Sequence, residues 1–196
     1  IAIYSIVATL ITMPSIEKIT ICNPKDYNSL LSKIDNIKSE INRLLQECNI
    51  TLQANIICSN DLEENVKGSD IIITATPSEN AMIKKEWVKE GTHFSCMGAC
   101  MEGKQEIDED ILSAAKIYCD DINQCIKSGE IQRAFKENII STVEGEIGDI
   151  IINKLDGRTS LNDITVFDST GLFIQDLSTS IEILNNSNDI GIELEL

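Results

Sequence analysis

Residues 70–78 read DIIITATPS, and this stretch decides the fold. Asp70 opens it, three isoleucines follow, and Thr74-Ala75-Thr76-Pro77-Ser78 closes it. An unbroken apolar run of this kind suits a strand buried on both faces, and such strands belong to parallel sheets covered by helices. The small residues and hydroxyls that follow suit the C-terminal end of such a strand, where backbone and Oγ groups can approach a ligand closely.

The pattern repeats outward from this run. ITIC at 19–22, the segment 52–58, residues 92–96, KIYCD at 116–120 and DITVFDS at 163–169 read as further strands. Between them, 3–13, 61–67, 108–115, 122–128, 142–154 and 172–185 read as helices. Leu30, Ile34, Ile37, Ile41, Leu44 and Leu45 recur at helical spacing and predict a long amphipathic helix. Strands alternating with helices indicate βαβ units, an α/β fold with a Rossmann-type parallel sheet and flanking helices. The expected organisation is a dinucleotide-binding unit over 1–171, then a C-terminal helix and tail, 172–196, that packs elsewhere.

Gly68 is the first glycine of the chain. A Rossmann domain opens as strand, Gly-rich turn and helix, because the pyrophosphate needs bare backbone at a helix N-terminus. The expectation is therefore an N-terminally truncated domain, without its first strand and glycine loop, that alone binds a dinucleotide weakly or not at all.

Composition narrows the classes. The 196 residues carry a formal charge of −16, with 32 acidic against 16 basic side chains. That balance argues against nucleic acid, which needs many phosphate-neutralising Lys and Arg, and against anionic membrane surfaces. The uncharged run IAIYSIVATLITM at 1–13 is shorter than the ~20 residues that span a bilayer and has no basic flank. It reads as a core helix, and the expected compartment is the cytoplasm. Seven cysteines with no C-x-x-C pair read as reduced thiols rather than a disulfide framework. His93, Cys96 and Cys100 lack a fourth ligand and the usual spacing, so no metal is expected.

In an open parallel sheet, ligands bind beyond the C-terminal ends of the strands. Asn23 follows ITIC, where a ribose would lie. Asparagine can bond a hydroxyl and does not repel a 2′-phosphate, and Lys25 is near, so NAD and NADP both stay open. Thr74, Ala75, Thr76 and Pro77 end the second such strand, Gly98 the third, and Ser169 and Gly171 the last. These small-residue loops are the candidate cofactor contacts. Asp120-Asp121 reads as a helix start and cap. Glu144 and Glu146 read as helix-surface or dimer-contact residues, Trp87 as packing, and His93 as a strand-opening residue rather than a base.

The stretch GSDIIITATPSENAMIKKEWVKEGTHFSCMGACMEGKQEID, with VEGEIGDII, GRTS, DITVFDSTGLFIQDL and the terminal GIELEL, resembles the ornithine cyclodeaminase/mu-crystallin family from about residue 3 onward. The resemblance implies an NAD(P)-dependent enzyme acting at the Cα–N bond of an amino or imino acid. In the cyclodeaminase reaction, ornithine gives proline and ammonia through an imine. It also implies a homodimer and a substrate domain, built largely from an N-terminal part, to which the last helix returns. The family's catalytic aspartate falls at Cys100 of Gly98-Ala99-Cys100. A thiol with an ordinary pKa near 8.5 is mostly neutral at pH 7 and is a poor substitute for that carboxylate. Three readings follow: ornithine cyclodeaminase first, a ketimine reductase like mu-crystallin second, and a non-catalytic small-molecule binder as the rival from another class.

Overall fold

A computed structural model describes residues 1–187. The tail 188–196, including GIELEL, lies outside the described residues. Among the described residues the elements run α1 (Ala2–Thr12), β1 (Lys18–Cys22), α2 (Tyr27–Glu47), β2 (Asn55–Ser59), α3 (Leu62–Gly68), β3 (Ile71–Thr74), β4 (His93–Cys96), α4 (Glu109–Ala114), β5 (Lys116–Cys119), α5 (Ile122–Ser128), α6 (Gln132–Lys136), β6 (Gly145–Glu146), α7 (Ile147–Ile151), β7 (Thr165–Asp168) and α8 (Phe173–Asn186), with a short 3-10 turn at Lys85–Trp87 between β3 and β4. Every strand pairing is parallel. The parallel α/β expectation therefore holds.

The strands form two sheets rather than one. β1 and β2 pair alone, and the other five run in the order β3-β4-β7-β5-β6. A cleft of about 1320 Å³ lies between them, walled by β1 on one side and by Ile71 and Ile73 of β3 on the other. Each sheet has its own core. Val7, Leu10, Ile41, Leu45, Ala54 and Ile56 cluster where α1 and α2 cover β1 and β2. Phe94, Ile107, Ile111, Ile117, Ile131 and Val166 lead the larger cluster around the five-stranded sheet.

Local chemistry sets the element ends. Aspartate caps four helices: Asp26, Asp61, Asp108 and Asp121 accept from the backbone N–H of Ser29, Glu64, Asp110 and Gln124. These aspartates sit at helix N-termini, where the dipole favours negative charge. Asn49, Asn138 and Asn153 take left-handed backbone just after α2, α6 and α7, a conformation that asparagine tolerates better than most residues.

The segment 142–154 departs from its helical expectation. Gly145 and Glu146 form the short edge strand β6 beside Tyr118 and Cys119, and only Ile147–Ile151 is helical. Glu144 and Glu146 are not helix-surface residues. Glu144 Oε2 accepts the Ile117 N–H at 2.5 Å, and Glu146 Oε1 accepts the Ile122 N–H at 3.1 Å. Both carboxylates tie this edge to its neighbours. Trp87 packs against the larger core as expected, with Lys84 Nζ 5.4 Å from its ring centroid. α8 has no buried residue, and Phe173, Ile174, Leu177, Ile181 and Leu184 stand exposed along it.

Candidate functional site

The strand ends line up. Thr74 pairs with Cys96, Cys96 with Asp168, and Asp168 with Cys119, so β3, β4, β7 and β5 finish in one row. The ladder runs on into the loops: Met97 N–H donates to Thr74 O, Ser169 N–H to Cys96 O, and Asp120 N–H to Asp168 O. Loops 75–78, 97–100 and 169–171 therefore leave the sheet at the same edge.

Buried carboxylates hold these loops in place. Glu106 is fully buried; its Oε1 accepts the Thr76 N–H at 2.6 Å and its Oε2 the Gly98 N–H at 3.1 Å. It fastens the first loop to the second. A Cβ at Gly98 would press on the Glu106 carboxylate and stand 2.5 Å from Thr76 O, so only glycine permits this approach. Glu130 Oε1 in turn accepts the N–H groups of Glu106 and Ile107, each at 2.7 Å. Asp120 holds the third loop: its Oδ2 accepts from Ser169 Oγ at 3.0 Å and Gly171 N–H at 2.7 Å, and its Oδ1 from Thr170 Oγ1 at 3.3 Å. Asp121 caps α5 as expected, but Asp120 has this further task. Gly171 has φ +85°, a left-handed turn suited to glycine.

Burial shapes the electrostatics beneath the loops. Loss of solvent pushes the Glu130 carboxyl up to about 8, against the pull of its two backbone donors. The same cause pushes Asp168 up to about 7 and raises the Cys96 thiol well above its usual value. His93 is held below its ordinary range, first by burial and then by Arg158, and its Nδ1 lies 2.8 Å from Thr165 Oγ1. It sits at the opposite end of β4 from the loops and joins no metal cluster among the described residues.

The expected contacts fall into two groups. Asn23, Ala75, Thr76 and Pro77 line the large cleft, together with Pro24, Lys25 and Ser78. Gly98, Cys100, Ser169 and Gly171 lie at the same sheet edge without forming its wall. Thr74 is buried at the base of the row, with its hydroxyl against the Cys96 thiol. Cys100 is exposed, and Lys104 Nζ donates to its Sγ at 3.7 Å. Sequence reasoning missed Glu106, Glu130 and the loop-holding part of Asp120. Their partners are backbone N–H groups and, for Asp120, the hydroxyls of Ser169 and Thr170, which leave no motif.

The cleft is lined by apolar side chains of β1 and β3 as well as by polar groups. Its volume exceeds the ~300–1,000 Å³ of ordinary small-molecule pockets. It offers an amide at Asn23, an ammonium at Lys25 and close-set backbone at 75–78.

Relatives agree with this geometry. Alanine dehydrogenase of Archaeoglobus fulgidus is 41% identical over 136 residues, covering 67% of this chain and 42% of that protein. A solved archaeal alanine dehydrogenase dimer with bound NAD superposes with a TM-score of 0.77 at 31% identity, over 98% of this chain and 57% of that one. The iminosuccinate reductase of Paracoccus denitrificans, solved with NAD+, gives 0.75 at 27% identity over 92% and 52%. The chain thus spans about half the length of these relatives, or less. The model of the ornithine cyclodeaminase/mu-crystallin family matches residues 30–190, and the chain belongs to that family.

Proposed function

We propose that this chain supplies the dinucleotide-binding layer of an NAD(P)-dependent oxidoreductase acting at the Cα–N bond of a small amino or imino acid. The row of strand ends carries the reading: three small-residue loops leave one sheet edge, and the first lines a cleft with Asn23 across it. Asn23 would accept or donate to a ribose hydroxyl, and the backbone at Ala75–Pro77 would lie against the dinucleotide. When bound, the dinucleotide would take or give a hydride. The two similar structures hold NAD, which favours NAD, while Lys25 in the cleft keeps NADP in play.

Within that class, Cys100 favours imine reduction over ornithine cyclodeamination. Where the family's catalytic aspartate would fall, Cys100 offers a sulfur beside Lys104 and no carboxylate to draw a proton from a substrate ammonium. The exposed apolar face of α8 supports a homodimer contact or a docking face for a substrate domain.

Titration of the isotopically labelled protein with NADH and NADPH, followed by amide NMR, tests the reading. Saturable binding in the millimolar range should shift Asn23, Ala75, Thr76 and Gly98. Shifts confined to other residues would overturn it. A second arm assays Cys100→Asp, in a protein that also carries a substrate domain, with ornithine and with a cyclic imine. The ratio of the two activities should move toward ornithine; an unchanged ratio in a folded variant removes Cys100 from the account.

A further inference from the structure

Beneath the third loop lies a group of side chains that the dinucleotide reading does not use. Cys119 ends β5 and Asp168 ends β7, and strand register sets the two opposite each other. Cys125 comes from α5. All three residues are fully buried. The two Sγ atoms and one carboxylate oxygen lie within 4.8 Å of one another.

The Asp168 carboxylate is incompletely satisfied. Its Oδ2 accepts the Ile131 N–H at 3.2 Å, and the Glu130 N–H and the Cys125 thiol also turn toward the carboxylate, while Oδ1 has no donor at ordinary hydrogen-bond geometry among the described residues. A buried carboxylate oxygen without a donor is costly, and such oxygens are normally paired or bound to a cation. Here its immediate neighbours are two thiols. Asp120 completes the surroundings, since its Oδ1 lies 3.3 Å from Cys125 Sγ.

We propose that Cys119, Cys125 and Asp168 form a buried structural site for one thiophilic divalent cation of the zinc class, with the two sulfurs and one Asp168 oxygen as its protein ligands. Two sulfurs and a carboxylate select zinc or cadmium over magnesium or calcium. A tetrahedral site with Zn–S of ~2.3 Å and Zn–O of ~2.1 Å spaces its ligand atoms ~3.5–3.8 Å apart, so these side chains need to close by no more than about 1 Å. On binding, both thiols lose their protons to solvent and become thiolates, and no electron is transferred. The cation would pin β5, β7 and α5 together under Ser169–Gly171, which Asp120 already holds. Full burial of all three ligands gives the cation a structural rather than a catalytic place.

The purified protein, incubated with zinc and passed through a desalting column, should retain about one ion per chain by elemental analysis. Cobalt(II) in place of zinc should give thiolate-to-metal charge-transfer absorption. Cys125→Ala and Cys119→Ala should each cut retention at least tenfold, whereas Cys48→Ala, at an exposed thiol, should leave it unchanged. Zinc should raise the unfolding temperature of the wild type, because a ligand that binds only the folded state stabilises it. Wild-type protein that retains no ion overturns the proposal, whatever the variants do. So does a cobalt–thiolate band that survives in Cys125→Ala, since it would come from surface thiols. Neither result bears on dinucleotide binding, which the NMR titration reads separately.

Discussion

Glu106 shows what a single residue does here. It is an acid with no exposed surface, in a segment whose sequence suggests nothing more than a loop entering a helix. Its two oxygens accept backbone N–H groups from two different strand-end loops, so it sets the distance between Thr76 and Gly98. Glu106→Gln keeps one acceptor and turns an NH2 group toward the other N–H. A buried donor left facing a donor costs the desolvation of that group, so the variant should lose about 2–4 kcal/mol. Urea unfolding measures it. A loss under about 0.5 kcal/mol would place Glu106 among ordinary surface residues and remove it as the clasp.

At the scale of elements, apolar runs made most of the strands legible. DIIIT, ITIC and KIYC became β3, β1 and β5 within a residue or two of their expected limits, because β-branched apolar runs favour parallel strands; only β5 is buried along most of its length, while the isoleucines of β1 and β3 are half-buried beside the cleft. β6 was not legible. VEGEIGDII has apolar residues at helical spacing, but Gly145 and the pairing of Glu146 with Cys119 draw its first part into the sheet edge. α6, five residues long, was too short to show a period. The loops of the site were legible as small-residue clusters. Their fastenings were not, because β7 lies between β4 and β5 and that order is absent from the linear sequence. The start of β5 illustrates a fastening with a pH signature. Asp163 accepts from Lys116 and from the N–H groups of Ser160 and Thr159, and these hold its carboxyl down at about 2, with Lys116 the largest cause. Lys116 is raised, chiefly by the same bond. A depressed acid stabilises the fold above its ordinary value of 3.8 and loses that stabilisation as pH falls through about 2. A raised lysine stabilises below its ordinary 10.5 and loses it as pH rises through the folded value. Asp163→Asn should therefore be less stable than wild type at pH 7, and the two should converge near pH 2. Thermal unfolding across that range checks this; a constant difference down to pH 2 would mean that the asparagine merely disturbs the turn.

The whole molecule is two cores of unequal size facing each other across a cleft. Among the described residues, the cluster around β1 and β2 has six buried members and the one around the five-stranded sheet has fifteen. Apolar burial contributes roughly 25 cal/mol per Å², so the smaller lobe has much less to hold it and both of its strands have an unpaired edge. Amides of Lys18–Cys22 should exchange with solvent faster than those of His93–Cys96, which are paired on both sides by β3 and β7. The proposed function uses this asymmetry. Asn23 belongs to the smaller lobe and Thr76 to the larger, so a dinucleotide touching both must spend binding energy on fixing one lobe against the other. Hydrogen exchange at saturating NADH should accordingly slow the β1 amides by a larger factor than the β4 amides. Equal slowing at both would mean that the ligand stabilises the fold as a unit. Slowing at β4 alone would mean that it sits on the larger sheet without reaching Asn23, and the bridging geometry would be wrong.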